Sequence, residues 1–277
     1  MKPTHTGHLV PAAVLLSCAL AGCAGGAGES ASSASATASE SPAGPTSLAN
    51  SSSLILNGSS QYAAATSAST LSAYPFSFSA WIKTSSATAQ TIVALNRSTV
   101  SNVYYRLGLN ATGNVRVEIA NTTARAGTST ATVNDGNWHH VVAVFVSNTS
   151  KLIYVDGAAN GANTNNVSFN TLATTLTVGR NGGTAPGNYF NGRIDEVKVY
   201  SSGLGASEVA ALYNSGHPID ATLDSGSYLS SATLLHWWRF GDVAGDDPET
   251  AIGDVKGAST LTPTGLTAGS IDAASAP

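Results

Sequence analysis

A chain of 277 residues in which only 10% are charged falls well below the roughly 25% of an average soluble domain. Its polar surface must therefore come from Ser, Thr, Asn and Gly, a mix that suits β-structure and export. The net charge of −4, with 12 basic residues spread thinly, provides no basic stripe to neutralise phosphates and so excludes nucleic acid as a partner. The two cysteines, Cys18 and Cys23, stand near the start. The remainder has no disulfide or thiolate metal site and must be held by packing and sheet hydrogen bonds.

Residues 1–22 read as an export signal. Lys2 supplies the positive start, and Leu9–Leu20 is an apolar run too short to cross a bilayer as an ordinary helix. The segment Leu20-Ala21-Gly22-Cys23 resembles the bacterial lipobox. That resemblance implies cleavage before Cys23 and acylation of its thiol and amine. The expected location is the bacterial cell envelope or surface, with the membrane engaged through the lipid anchor only. Residues 23–49 are rich in Ser, Ala, Gly and Thr, with Glu29 and Glu40 as the charges. They read as a flexible tether with a reach of roughly 28 Å.

From Ser52 onward the apolar period is two. Phe76, Phe78, Ala80 and Ile82 share one face and Trp81 takes the other. Val115, Val117 and Ile119 alternate with Asn114, Arg116 and Glu118. Trp138–Val146 is apolar on both faces and predicts a central strand. It is joined through Ser147–Ser150 to a hairpin partner, Lys151–Val155, which ends at the turn signal Asp156-Gly157. Leu176–Val178 and Ile194–Tyr200 follow. One helix is expected over Ala206–Asn214, with Gly205 as N-cap, Glu208 at the third helical position, and Leu204 against Val209. Gly216 and Pro218 close it. Many short strands with turn residues between them mean an all-β sandwich or barrel.

The order of these segments resembles the laminin-G-like, concanavalin A-like lectin/glucanase domain family. The carriers are Leu54–Gly58, Phe76–Ile82, Asp135-Gly136-Asn137-Trp138-His139-His140-Val141-Val142, Lys151–Gly157, and Asn191–Tyr200 followed by Leu204–Tyr213. The resemblance covers about residues 50–215 and implies a jelly roll of two antiparallel sheets. Leu234–Asp242 and Leu261-Thr262-Pro263 resemble a segment that precedes the domain in many relatives. Residues 220–277 have too few apolar positions for a core of their own. The expected organisation is signal 1–22, tether 23–49 and one sandwich over 50–277, with 220–277 completing it.

Glucanases share this fold, and hydrolysis needs two carboxyls about 5–9 Å apart on one face. The "ExDxxE" strand of those relatives is absent, Asp195 and Glu196 are adjacent, and Glu118 stands alone on its strand. The expectation is therefore no enzyme and no catalytic residue. His139 and His140, adjacent on a strand, cannot chelate one ion together, so one core and one surface histidine are expected. For a hard cation, Ca2+, the candidate ligands are Asp195 at the family's "IDE" position and Asp242, Asp246 and Asp247 in an acidic loop. Aromatic candidates for stacking on a sugar are Trp237, Trp238, Tyr104 and Tyr105. Trp237 and Trp238 point to opposite faces of a strand, so one belongs in the core, and the other is either an exposed platform for a sugar or covered by a neighbouring loop. The resemblance implies a binding module whose partner is carbohydrate or a glycoconjugate. The rivals are a structural module bound to another envelope protein, or part of a phage-like assembly, and, more distantly, a glycoside-active enzyme.

Overall fold

A computed structural model describes residues 45–65, 71, 73–97, 99–167 and 175–277. The signal 1–22, Cys23 and the tether as far as residue 44 lie outside the described residues. The described strands are β1 (Ser53–Asn57), β2 (Tyr62–Ala65), β3 (Phe76–Lys83), β4 (Gln90–Asn96), β5 (Val103–Leu109) and β6 (Asn114–Asn121). They continue with β7 (Thr123–Thr132), β8 (Trp138–Ser147), β9 (Ser150–Val155), β10 (Ala158–Asn163), β11 (Thr175–Val178) and β12 (Asn191–Tyr200). Helix α1 (Ala206–Tyr213) comes next, then β13 (Leu234–Trp238), β14 (Thr262–Thr264) and β15 (Ile271–Asp272).

The larger sheet runs β10-β9-β8-β3-β12-β1-β15, with β13 also on β12; the smaller runs β14-β2-β11-β4-β5-β6-β7. The pairings within both are antiparallel. The two-residue period decides which side chains fill the space between the sheets. Phe76, Phe78, Ala80 and Ile82 of β3 meet Val141, Ala143 and Phe145 of β8 and Leu107, Val117 and Ile119 of the smaller sheet there. Each of the larger side chains contributes roughly 1.5–3 kcal/mol when fully buried. The β9–β10 hairpin turns at Asp156 (φ 49) and Gly157 (φ 79), the paired positive angles that suit the twist of a two-residue connection.

The outer face of the larger sheet is covered as well. Val142, Val144, Tyr154 and Tyr200 pack under Leu204, Val209 and Leu212 of the helical segment and under Ile219, Tyr228 and Trp237. The Gly205 N–H donates to Glu208 Oε2 at 2.9 Å, which fixes the start of α1, and Leu204 and Val209 are both buried. The helix stops at Tyr213 because Asn214 takes a left-handed conformation, φ 43. The C-terminal segment enters both sheets, with β13 on β12, β14 on β2 and β15 on β1.

One boundary differs from expectation. The tether was expected to run to residue 49, but Ser47 bridges Ile219 and the Leu48 N–H donates to Pro218 O at 2.7 Å. Leu48 packs against the outer cluster. An apolar side chain beside a covered apolar face gains more by burial than by staying in the tether.

Candidate functional site

Strand β12 is the hub. Its residues Asn191–Ile194 pair with β1 and Val197–Tyr200 with β13, while β3 runs along the other edge. Where the partner changes, the register against β3 shifts between Asp195 and Lys198, and Glu196 sits at φ 53. This bulge buries both acids completely. Asp195 accepts from Asn50 Nδ2 at 2.7 Å and from the Glu196 N–H at 2.8 Å. Burial, with the Glu196 charge beside it, pushes the Asp195 carboxyl well above the usual range. Glu196 Oε2 accepts from Lys198 Nζ at 2.5 Å and from Trp237 Nε1 at 2.8 Å, and Oε1 from Arg239 Nε at 2.9 Å. With neither carboxylate reaching solvent, this pair has no access to a glycosidic bond.

Beside this cluster opens a cleft of ≈ 400 Å³, whose lining includes Asp220, Thr222, Trp237, Arg239, Asp242 and Asp254. Leu48, Val243, Ala244 and Val255 provide its apolar walls. Each acid is set by local hydrogen bonds. Asp220 Oδ1 accepts from the Thr222 N–H and hydroxyl at 2.9 and 2.6 Å. Asp242 accepts from the amides of Ser51 and Ser52 and from the Ser51 hydroxyl. Asp254 takes His236 Nδ1 at 2.8 Å and the Trp237 N–H at 2.9 Å. Arg239 reaches over the rim to the carbonyl of Ala49 at 2.5 Å.

Two of the expected site residues, Trp237 and Asp242, therefore meet in this cleft; the others do not. Asp246 accepts from the amides of Gly241 and Gly253, both at 2.7 Å, and so closes its own loop. Asp247 sits on a neighbouring turn, accepting from the Glu249 N–H at 2.8 Å. Among the described residues no three His, Cys, Asp or Glu side chains converge as a metal site. Asp195, Asp242, Asp246 and Asp247 each serve as acceptors for nearby amides.

Of the two readings of the aromatic candidates, an exposed platform and a covered ring, the structure gives the covered one. Trp237 and Trp238 do point to opposite faces, but both are buried, Trp238 between the sheets and Trp237 in the outer cluster. The Trp237 ring is covered by Lys198 at 4.7 Å and Arg239 at 5.4 Å, so only its margin lines the cleft. Tyr104 lies under Arg106, 5.3 Å from its centroid. Tyr105 packs edge-on against Phe76 and Phe145. The physical reason is that both faces of β5 and β13 are covered.

The histidine pair divides as expected. His140 is buried, with Nε2 2.8 Å from the Ser79 hydroxyl, while His139 lies nearer the surface between Asp156 and Asp135. Glu118, the one carboxylate on β6, is held by Arg106 and Arg116. Asp220, Glu196 and Arg239 were not anticipated. Only Asp220 carried a local signal, the Asp-x-Thr spacing of a side-chain-capped turn.

Comparison with known proteins agrees with this architecture. A protein from Bacteroides ovatus, named for an inferred carbohydrate-binding role, is similar in structure with a TM-score of 0.58 at 16% identity, over 83% of this chain and 62% of that one. The chain thus spans about three fifths of that relative's length. The CBM40 of a Ruminococcus gnavus IT-sialidase is similar with a TM-score of 0.50 at 15% identity, over 61% of this chain and 100% of that one. No curated protein matches the chain. Residues 57–210, more than half of the chain, match a laminin-G family described as "Concanavalin A-like lectin/glucanases superfamily", and the chain, with its two-sheet sandwich, belongs to that family.

Proposed function

We propose that the chain is an exported recognition module, anchored by acylation of Cys23, that binds carbohydrate or a glycoconjugate and performs no catalysis. The ≈ 400 Å³ cleft supports this most directly. Asp220 and Asp242 offer acceptors for sugar hydroxyls, Arg239 offers donors, and Leu48, Val243 and Val255 offer an apolar wall for the C–H face of a pyranose. Relatives of the same fold named for carbohydrate binding are consistent with it by analogy. The tether then holds the sandwich away from the envelope.

The test is titration of the chain carrying Cys23→Ser, which removes the acylation site, against a panel of neutral polysaccharides, with calcium and with chelator. Binding that Asp220→Asn weakens tenfold or more supports the cleft. Binding abolished by chelator brings calcium into the site, with Asp220 and Asp242 as the first ligands to vary. Absence of binding from folded protein overturns the reading.

One observation favours the rival, docking to another envelope protein. Leu223 and Leu229 are 63% and 67% exposed and flank the turn closed by Ser225 and Tyr228. In that case Leu223→Ser with Leu229→Ser abolishes capture of the partner and leaves glycan binding unchanged.

A further inference from the structure

A second cleft, ≈ 290 Å³, lies at the other end of β1. Its lining includes Lys83, Ser85, Ser86, Asn191, Gly192 and Arg193. Chain direction fixes the separation. The chain reaches the sandwich at Ser47 and Leu48, beside Ile219 and Pro218. Strand β1 then runs away to Asn57, whose partner on β12 is Asn191. Five strand residues span roughly 14–17 Å, so this cleft is displaced along the sheet from the Trp237 cleft, which Leu48 lines.

The floor and walls are held by buried polar groups. Thr84 Oγ1 donates to the Asn191 carbonyl at 2.6 Å, and Gln90 Oε1 accepts the Asn191 N–H at 2.6 Å. The Gly136 N–H closes the rim onto the Thr84 carbonyl at 3.0 Å. Gly192, at φ +141, lets β12 approach Lys83 and Thr84 closely, since a Cβ there would meet the Lys83 carbonyl at 2.3 Å.

The charge pattern is unusual for this chain. Lys83 and Arg193 are direct cross-strand partners, an arrangement of like charges that destabilises a sheet. One carboxylate, Asp272, pairs with Arg193. Among the described residues the Lys83 side chain has no hydrogen bond or ion pair, and Arg193 Nε is buried without a partner. In the two other mixed clusters both cations touch the shared carboxylate, Arg106 and Arg116 on Glu118 and Lys198 and Arg239 on Glu196, whereas of the two cations here Asp272 touches only Arg193. On a protein of net charge −4, a cleft where the Lys83 ammonium and the Arg193 guanidinium lie side by side with one carboxylate on the arginine suits an oxyanion. The surrounding hydroxyls and amide of Ser85, Ser86 and Asn191 match sugar hydroxyls.

We infer that this cleft binds an acidic sugar unit, its carboxylate or sulfate lying between Lys83 and Arg193. This narrows the ligand class of the carbohydrate reading and places it at a different site. The guanidinium fork supplies geometry and the ammonium supplies charge.

The experiment titrates the full chain carrying Cys23→Ser with oligogalacturonate, a sulfated galactan oligomer and a neutral galactan oligomer, at 20 mM and 300 mM salt. The parent is compared with Lys83→Gln and with Asp220→Asn. The expected result is binding of at least one acidic oligomer. That binding weakens tenfold or more in Lys83→Gln and at high salt, stays unchanged in Asp220→Asn, and leaves the melting temperature of Lys83→Gln within 2 °C of the parent. Uronate binding alone identifies a carboxylate site, and sulfated-oligomer binding alone a sulfate site. If acidic oligomers bind Lys83→Gln as tightly as the parent, or bind neither protein, the inference falls. Neutral binding lost in Asp220→Asn would still leave the Trp237 cleft standing.

Discussion

The indole N–H of Trp237 donates to Glu196 Oε2 at 2.8 Å, across 41 residues of sequence. This bond joins the bulge of β12 to the C-terminal strand that sits beside it. Lys198 and Arg239 reach the same carboxylate. Removing Glu196 therefore leaves a lysine with a 3% exposed side chain uncompensated. Glu196→Ala is expected to destabilise by about 3–5 kcal/mol, and Glu196→Gln, which keeps the acceptor, by about 1–3 kcal/mol. Urea unfolding at pH 7 measures both. Equal, small losses would mean that the network does not hold the C-terminal segment in place.

Asp195 leads to the opposite sign. Its carboxyl is pushed up by burial and by Glu196, and the Oδ1 of Asn50 is buried with no partner. In Asp195→Asn, a rotated Asn50 amide can accept the new N–H while the remaining oxygen keeps the Glu196 amide. The folded state prefers the protonated acid, whereas the unfolded chain ionises it near the ordinary value. Stability from this group is thus present at low pH and declines as pH rises above about 4. Asp195→Asn is expected to stabilise by about 1 kcal/mol at pH 8 and to change little at pH 4. Destabilisation at both pH values would show that the ionised form is needed.

The two histidines pull stability in different directions with pH. Burial, helped by Lys198, pushes the His140 imidazole down to about 3. Below pH 6.5 the unfolded chain takes up a proton that the folded chain refuses, so stability falls by about 1.4 kcal/mol per unit as pH drops from 6.5 towards 3. The hydrogen bond to Asp156 raises the His139 value, with Asp135 adding to it. Its contribution is complete below pH 6.5 and is lost as pH rises through the folded value. Denaturant unfolding from pH 4 to 8 should therefore show a His140→Gln variant with an acid limb shallower by nearly one proton.

In the cleft, Asp220 accepts hydrogen bonds within its own turn, from the amide and hydroxyl of Thr222. Asp220→Asn should leave the melting temperature within about 3 °C of the parent, the scale of about half a kcal/mol for a surface change. Neutral glycan binding should fall tenfold or more. Calorimetric titration beside a melting scan separates the two effects.

Legibility followed the alternation of apolar residues. β3, β6, β8 and β9 each carry either a clean period of two or a continuous apolar run bounded by turn residues, and each could be read from the chain. β4 and β5 are buried on both faces, and their mixture of Thr, Asn, Arg and Gly with apolar residues hides the period. β7 and β10 consist mainly of Ala, Gly, Thr and Asn and exist because a neighbouring strand offers backbone hydrogen bonds, which no local pattern signals. At the candidate site, Trp237 and Asp242 were visible as residue types. Their exposure was not, because it depends on Lys198 and Arg239, brought over the Trp237 ring from different strands.

The sequence by itself determined the all-β class, the strand that runs through the centre, the single helix and its start, and the division of His139 from His140. Local periodicity and capping chemistry act within a few residues and are written into the chain. Only the tertiary structure decided that β1 and β13 share one edge of β12, that the Asp195–Glu196 bulge is sealed by Asn50, Lys198, Trp237 and Arg239, and that Lys83 faces Arg193 across a glycine floor. Those arrangements depend on strand order and register, which are set by the closure of a core between segments as distant as Ser53 and Asp272.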